Sequence, residues 1–251
     1  LYSPIATATT LAATDNFDRA DNLNLGAAWD PYASYSPLQL LGNSVRASAV
    51  NTDSIEAYTA VALPNDQWAQ ATLTGWNGTA YHNAHVNVRL SAPLAALNGY
   101  AGLVTSTNKA LIAKWTNNAL TELAFVPYTA AVGDVLRLEA EGTTLRFYVN
   151  NVLRVTATDA SYPSGRPGLT VYLGAGAALS QVQLDNFSSN SLTTVDTTPP
   201  DAPAALTATP LSETQMALSW PAATDNVGVT GYEVERCQGA GCTSFALIAT
   251  P

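Results

Sequence analysis

The chain has 251 residues, 47% of them hydrophobic and only 12% charged, with a formal net charge of −9. That length suits one large domain or two modest ones, each with a real core. Ten basic residues against nineteen acidic ones leave no basic footprint for nucleic acid and disfavour an anionic membrane surface. No apolar run reaches the ~18 residues of a membrane span, and no charged-then-apolar leader opens the chain, so a signal peptide would lie outside it. The two cysteines, Cys237 and Cys242, close a short loop. They read as a disulfide and hence an oxidising compartment, secreted or cell surface; the alternative is a pair of free thiols.

In chain order, residues 1–10 read as a lone β-strand. Residues 11–190 read as the main unit. LQLLGNSVRAS (38–48) is two strands about a Gly42-Asn43 turn. NDQWAQATLTGW (65–76) alternates Ala69, Ala71 and Leu73 with Trp68, Gln70, Thr72 and Thr74. HVNVRLS (85–91) sets Val86, Val88 and Leu90 against His85, Asn87 and Arg89. Strands are also expected in 98–106, 110–115 and 120–126. The stretch 133–159 is a three-stranded meander with Leu136, Leu138, Ala140, Leu145, Phe147, Val149, Leu153, Val155 and Ala157 on one face. Its turns are Gly142-Thr143-Thr144 and Asn150-Asn151. GLTVYL (168–173) and LSQVQLDNFS (179–188) complete the unit. About a dozen short strands without an amphipathic helix predict an all-β antiparallel sandwich. The matching triplets Asp15-Asn16-Phe17 and Asp185-Asn186-Phe187 place the two ends of this unit side by side.

The succession DNFDRAD, LG..W, NDQWAQATL, VRLS, NGY, the 133–159 meander and LDNFS resembles the laminin-G-like, concanavalin A-like jelly roll. That resemblance covers about 180 residues. It implies a jelly-roll β-sandwich, a fold that hosts lectins, carbohydrate-binding modules, polysaccharide hydrolases, lyases and spacers. SLTTVDTTPP (191–200) reads as an extended linker. Residues 201–251 resemble the first half of a fibronectin type III domain, an immunoglobulin-like sandwich, with Leu218, Trp220, Tyr232 and Val234 at its core positions. Residues 1–10 resemble the last strand of such a domain. A half sandwich leaves an open edge. Residues 1–10 of one copy are therefore expected to add to the 201–251 piece of the next, giving head-to-tail self-association.

The first candidate site is a polar groove made by Trp68, Gln70, Thr72 and Thr74 with His85, Asn87 and Arg89. An aromatic ring stacks on the apolar face of a sugar while amides and charges meet its hydroxyls. The competing reading makes Trp68 core and the rest a solvated face. The Gly/Asn-rich loop carrying Trp76, Tyr81, His82 and His85 is a second candidate, for ligand contact or, weakly, for metal. Asp15, Asp18 and Asp185, with Asp21, gather near the meeting of the ends. Jelly-roll domains often hold a structural calcium, and these carboxylates are its candidate ligands; turn capping is the alternative. Glu139 and Glu141 share one strand face, but the E-x-D-x-x-E motif of jelly-roll hydrolases is absent. Arg137, Arg146 and Arg154 make a surface charge ladder the simpler reading. The expected function is non-catalytic carbohydrate binding or adhesion, with a polysaccharide or cell-surface glycan as partner and no cofactor beyond that calcium. The enzyme alternative is a lyase or glycoside hydrolase using Tyr81, His85 and Arg89. The third is a structural repeat of an extracellular fibre or phage tail. Turnover, binding without turnover, or silence on a glycan array separates the three.

Overall fold

The computed structural model describes residues 13–78, 80–91, 96–192, 200–225, 229, 231–239 and 241–250. The expected strand at 1–10 lies outside them, as does the linker from 193 to 199. The chain divides into two compact units, a larger one of Thr10–Leu192 and a smaller one that contains Thr193–Pro251. Among the described residues no helix is long and apolar enough to cross a membrane.

The larger unit is all β. Its first strands are β1 (Ala13–Asp15), β2 (Trp29–Pro31), β3 (Leu38–Leu40), β4 (Val45–Ala47), β5 (Thr52–Tyr58), β6 (Gln67–Trp76), β7 (His82–Leu90) and β8 (Gly99–Thr105). There follow β9 (Lys109–Thr116), β10 (Ala119–Pro127), β11 (Val135–Glu141), β12 (Thr144–Val149), β13 (Val152–Thr158), β14 (Arg166–Leu173) and β15 (Val182–Ser191). Sheet A runs β13-β12-β11-β6-β15-β4-β3, with β1 added against β15. Sheet B runs β10-β9-β8-β7-β14-β5-β2. The two sheets form an antiparallel jelly-roll sandwich. β1 pairs with β15 so that Asp15 stands opposite Phe187, bringing the two Asp-Asn-Phe triplets together as expected.

Local chemistry explains the turns. Asn150 and Asn151 both take positive φ, 54° and 61°, between β12 and β13, and Asn117 and Asn118 do so at 48° and 70° between β9 and β10. Two consecutive left-handed residues make the tight turn whose twist matches a hairpin, and asparagine tolerates that region. The main core lies between the sheets. Ala69, Ala71, Leu73, Leu136, Leu138 and Phe147 from sheet A meet Ala84, Val86, Val88, Tyr100, Ile112 and Leu169 from sheet B. Two strands escaped the sequence reading, β2 and β5. In β5, Ser54 and Glu56 are as fully buried as Ile55 and Ala57, because both faces of the strand are covered. Polarity therefore does not alternate with burial, and the usual signal vanishes.

The smaller unit contains two hairpins. β16 (Thr207–Pro210) pairs with β17 (Met216–Ser219), and β18 (Val234–Arg236) with β19 (Ala246–Ala249). Cys237 and Cys242 are joined in a disulfide. Leu218, Trp220, Val234, Phe245 and Ile248 line a groove in this unit. Trp220 packs edge-on against Tyr232 at 5.5 Å.

Candidate functional site: two outer sheet faces

β6 and β7 belong to different sheets, so their outward residues cannot form one groove. Trp68, Gln70 and Thr72 stand on the outer face of sheet A. His85 and Asn87 stand on the outer face of sheet B, on the far side of the core. This separates the composite groove expected from the alternation of 65–76 and 85–91. Alternation tells which residues share a face of one strand, but not which sheet receives the next strand.

Arg89 departs furthest from expectation. Its φ is 54°, and opposite it the register between β7 and β14 slips between Arg166 and Gly168. Such a bulge re-aims a side chain. Arg89 consequently does not continue the outward row of His85 and Asn87. It is 2% exposed and donates from Nε to Asn65 O (2.8 Å) and from its terminal nitrogens to Gly142 O (2.7 Å), Tyr162 O, Ala140 O and the Asp66 carboxylate. This guanidinium ties the ends of several segments together and has no donor aimed at a ligand.

The outer face of sheet A is an open polar platform. Register places Asn190, Trp68, Glu139, Arg146 and Thr156 in one row across five strands. The next row holds Ser188, Gln70, Arg137 and Tyr148. The Arg137 guanidinium lies 4.0 Å from the centre of the Trp68 ring and pairs with Glu139 at 2.8 Å. Arg146 pairs with Glu141 at 2.7 Å. The two glutamates are therefore neutralised by arginines, as the charge-ladder reading holds, and the platform carries little net charge. Arg154 stands apart, 4.9 Å over the Tyr128 ring. Beside Gln70 the surface dips into a shallow depression lined by Thr14, Asn16, Asn186 and Ser188.

The outer face of sheet B is mostly covered. Tyr81, 45% exposed, stands at its rim 5.7 Å from Tyr172 and accepts a hydrogen bond from Asn83 Nδ2. Asn83 Oδ1 in turn meets His85 Nε2 at 2.7 Å. An amide oxygen only accepts, so Nε2 carries the proton and Nδ1 is the bare nitrogen. Burial pushes the His85 imidazole down to about 3, so it stays neutral. Asn87 Nδ2 donates to Thr170 Oγ1 at 3.0 Å.

The remaining expected site residues are spent locally. Trp76 closes β6 and packs edge-on against His82 at 4.3 Å, at the margin of the core. His82 is buried and bonded to Gln181, and its odd spacing from His85 puts the two on opposite faces of β7. Asp15 accepts from the Trp29 indole, from Arg19 and from the Phe17 amide. Asp18 accepts from Asn16 and Asp21 from the Gly42 amide. Asp185 is raised by burial and by Asp18 and Asp15 nearby, with the Asn186 amide opposing. Among the described residues no group of three or more His, Cys, Asp or Glu converges to hold a metal ion.

No family model matches the chain. Chitinase Chi52 of Paenibacillus xylanexedens and chitinase D of Niallia circulans are each 43% identical to it over 81 residues, which is 32% of this chain. The match spans only 13% of the length of either relative. Among solved structures, a carbohydrate-binding module CBM66 from Bacillus subtilis superposes with a TM-score of 0.51 at 18% identity, covering 65% of this chain and 96% of that one. At that identity the likeness shows the jelly-roll sandwich.

Proposed function

We propose that the larger unit is a non-catalytic carbohydrate-binding module of a secreted or cell-surface protein, and that it binds on the outer face of sheet A. The observation that carries this reading is the row around Trp68. A half-buried indole holds the Arg137 guanidinium against its ring, beside the amides Gln70, Asn186 and Asn190 and the hydroxyls of Thr14 and Ser188. Rings of this kind stack on the apolar face of a pyranose, and amides answer its hydroxyls. Because Arg137 and Arg146 are each paired with a glutamate, the platform suits a neutral glycan rather than an acidic one. The disulfide at Cys237 and Cys242 supports an oxidising, extracellular setting. The partial identity to chitinases is compatible with a module carried beside an enzyme. The lyase or hydrolase reading loses its arginine, since Arg89 is consumed in the interior and cannot meet a substrate beside His85. The smaller unit then acts as a fibronectin-type spacer.

A glycan array of neutral and acidic oligosaccharides tests the platform. Trp68→Ala and Gln70→Ala should each weaken binding to neutral members at least tenfold while moving the melting temperature only slightly. Binding unaltered by both substitutions would remove the platform from the account.

A further inference from the structure

The outer face of sheet B carries a trough that the sequence does not announce. In register across five strands stand Ala57, Gly168, Asn87, Ala101 and Ala113, four of them with one side-chain carbon or none. The row before it is taller, with Ile55, Thr170, His85, Leu103 and Leu111. Leu90 and Trp115 close the other side. A floor of small residues thus lies between taller walls, with the Leu90 side chain reaching in over Gly168.

Three polar atoms in this region have no partner: His85 Nδ1, Asn87 Oδ1 and Trp115 Nε1. Their residues are 0%, 0% and 2% exposed. The His85 and Trp115 rings are 6.2 Å apart, and Asn87 follows His85 on the same strand face. Buried polar atoms without a partner are uncommon and costly. This set comprises two acceptors and one donor, all on uncharged groups. A sugar hydroxyl, which both donates and accepts, answers every member of such a set, whereas a cation meets only the two acceptors and an anion only the donor.

What covers the trough is the segment Tyr32–Tyr35. It leaves sheet B after β2 and returns at Ser36, whose main chain bonds to Asp53 and Ile55 of β5. Between those points its tyrosine side chains reach over the outer face. Tyr32 is 1% exposed and packs into the cluster that contains Ala57, Ala101 and Ala113. Tyr35 lies 6.0 Å from Trp115. The two side chains are fastened by single hydrogen bonds, Tyr32 OH to Ser91 O (2.8 Å) and Tyr35 OH to Asn118 O (2.7 Å). Both acceptors lie outside the strands, so letting go of them breaks no ladder. Ala33 and Ser34 between the tyrosines face solvent.

We infer that this trough is a second neutral-glycan site, held shut by an aromatic strap whose Tyr32 ring occupies the place of a pyranose. The site rests on the carbohydrate-binding reading but on a different face and different residues. Opening the strap exposes Trp115 as a stacking surface and offers His85, Asn87 and the Trp115 indole N–H to hydroxyls. The exposed Tyr81 and the half-buried Tyr172 at the rim mark where a longer chain enters. The strap lowers affinity by competing with the ligand, as any closed state does when the open one is rare.

The double variant Tyr32→Phe, Tyr35→Phe keeps both rings and removes only the two fastenings. It is made in a Trp68→Ala background, so that binding on sheet A does not obscure the result, and probed on an array of neutral β-linked oligosaccharides that includes N-acetylglucosamine hexamer. At least a tenfold gain over Trp68→Ala alone is expected on some member, and Asn87→Ala should cancel it. Faster solvent exchange of the Trp115 indole proton should accompany the gain. A folded double variant with no gain on any member, or a gain indifferent to Asn87→Ala, overturns the closed site. Failure of Trp68→Ala to weaken the parent would count against the platform alone.

Discussion

Arg89 illustrates how one backbone angle can overrule a pattern. By alternation it belongs with His85 and Asn87, yet a bulge carries it into the interior, where carbonyl oxygens of four residues and one carboxylate absorb its donors. Arg89→Ala is therefore expected to destabilise by ~3–5 kcal/mol, the usual cost of stripping one partner from a buried charged network. Arg89→Lys should rescue little, because one ammonium cannot span the fork. Thermal melts check both, and an unchanged melting temperature for Arg89→Ala would contradict the assignment. Glu56 is the complementary case. Burial pushes its carboxyl up to about 8, with the Leu25 and Leu38 amides opposing and Asp30 adding to the rise; burial likewise raises Asp53 to about 7. A raised folded pKa means stability that is full below the unfolded value, about 4, and is lost as pH climbs through about 7 to 8. His85 has the opposite sign: its contribution is full above about 6.5 and is lost as pH falls toward about 3. Glu56→Gln should flatten the fall of melting temperature expected of the wild type between about pH 4 and 8. An identical slope in the variant would show that Glu56 is ionised in the folded state.

Among the elements, the β11-β12-β13 meander was legible because both hallmarks agree: strict alternation and Asn-Asn or Gly turns. Phe147 is fully buried while Tyr148, next along β12, is only partly so. Phe147→Ala should cost ~3–5 kcal/mol and Tyr148→Ala clearly less; the reverse order in denaturant titrations would mean the faces are exchanged. Opposite Phe147, across the core, stands Gly102. A Cβ there would come within 2.4 Å of the Phe147 ring. Gly102→Ala should destabilise by ~1–3 kcal/mol through overpacking, and Phe147→Leu should relieve part of that loss. β5 was not legible, since its buried Ser54 and Glu56 remove the polarity contrast on which the reading depends. Nor was the Tyr32–Tyr35 strap, because its tyrosines are buried by a sheet face far away in sequence.

In the whole molecule the two units differ in how much apolar surface they hide. The larger unit buries Leu, Val, Phe and Ala from both sheets almost completely. In the smaller one Leu206, Met216, Phe245 and Ile248 remain 64%, 58%, 48% and 54% exposed. Two short hairpins make a poor core, and a disulfide is the kind of staple that such a unit leans on. Reduction of Cys237–Cys242 should therefore loosen the smaller unit and leave the main calorimetric transition of the larger one in place. A drop in the larger transition on reduction would mean that the units do not unfold independently.

The all-β class, the jelly-roll sandwich, most strand positions, the pairing of the Asp-Asn-Phe triplets and the inward faces of β11 and β12 were set by the sequence alone, since period-two alternation and turn residues are local; in β13, where the register slips between Phe147 and Tyr148, Leu153 was expected inward but is 48% exposed. The candidate sites were not. Trp68 and Gln70 were legible as outward residues of one strand, and His85 and Asn87 as outward residues of another. Which sheet each strand joins depends on hydrogen bonds to strands as far away as β14 and β15. Only the tertiary structure could therefore put the core between these two pairs, turn Arg89 inward at a bulge and lay Tyr32 over a trough assembled from five strands.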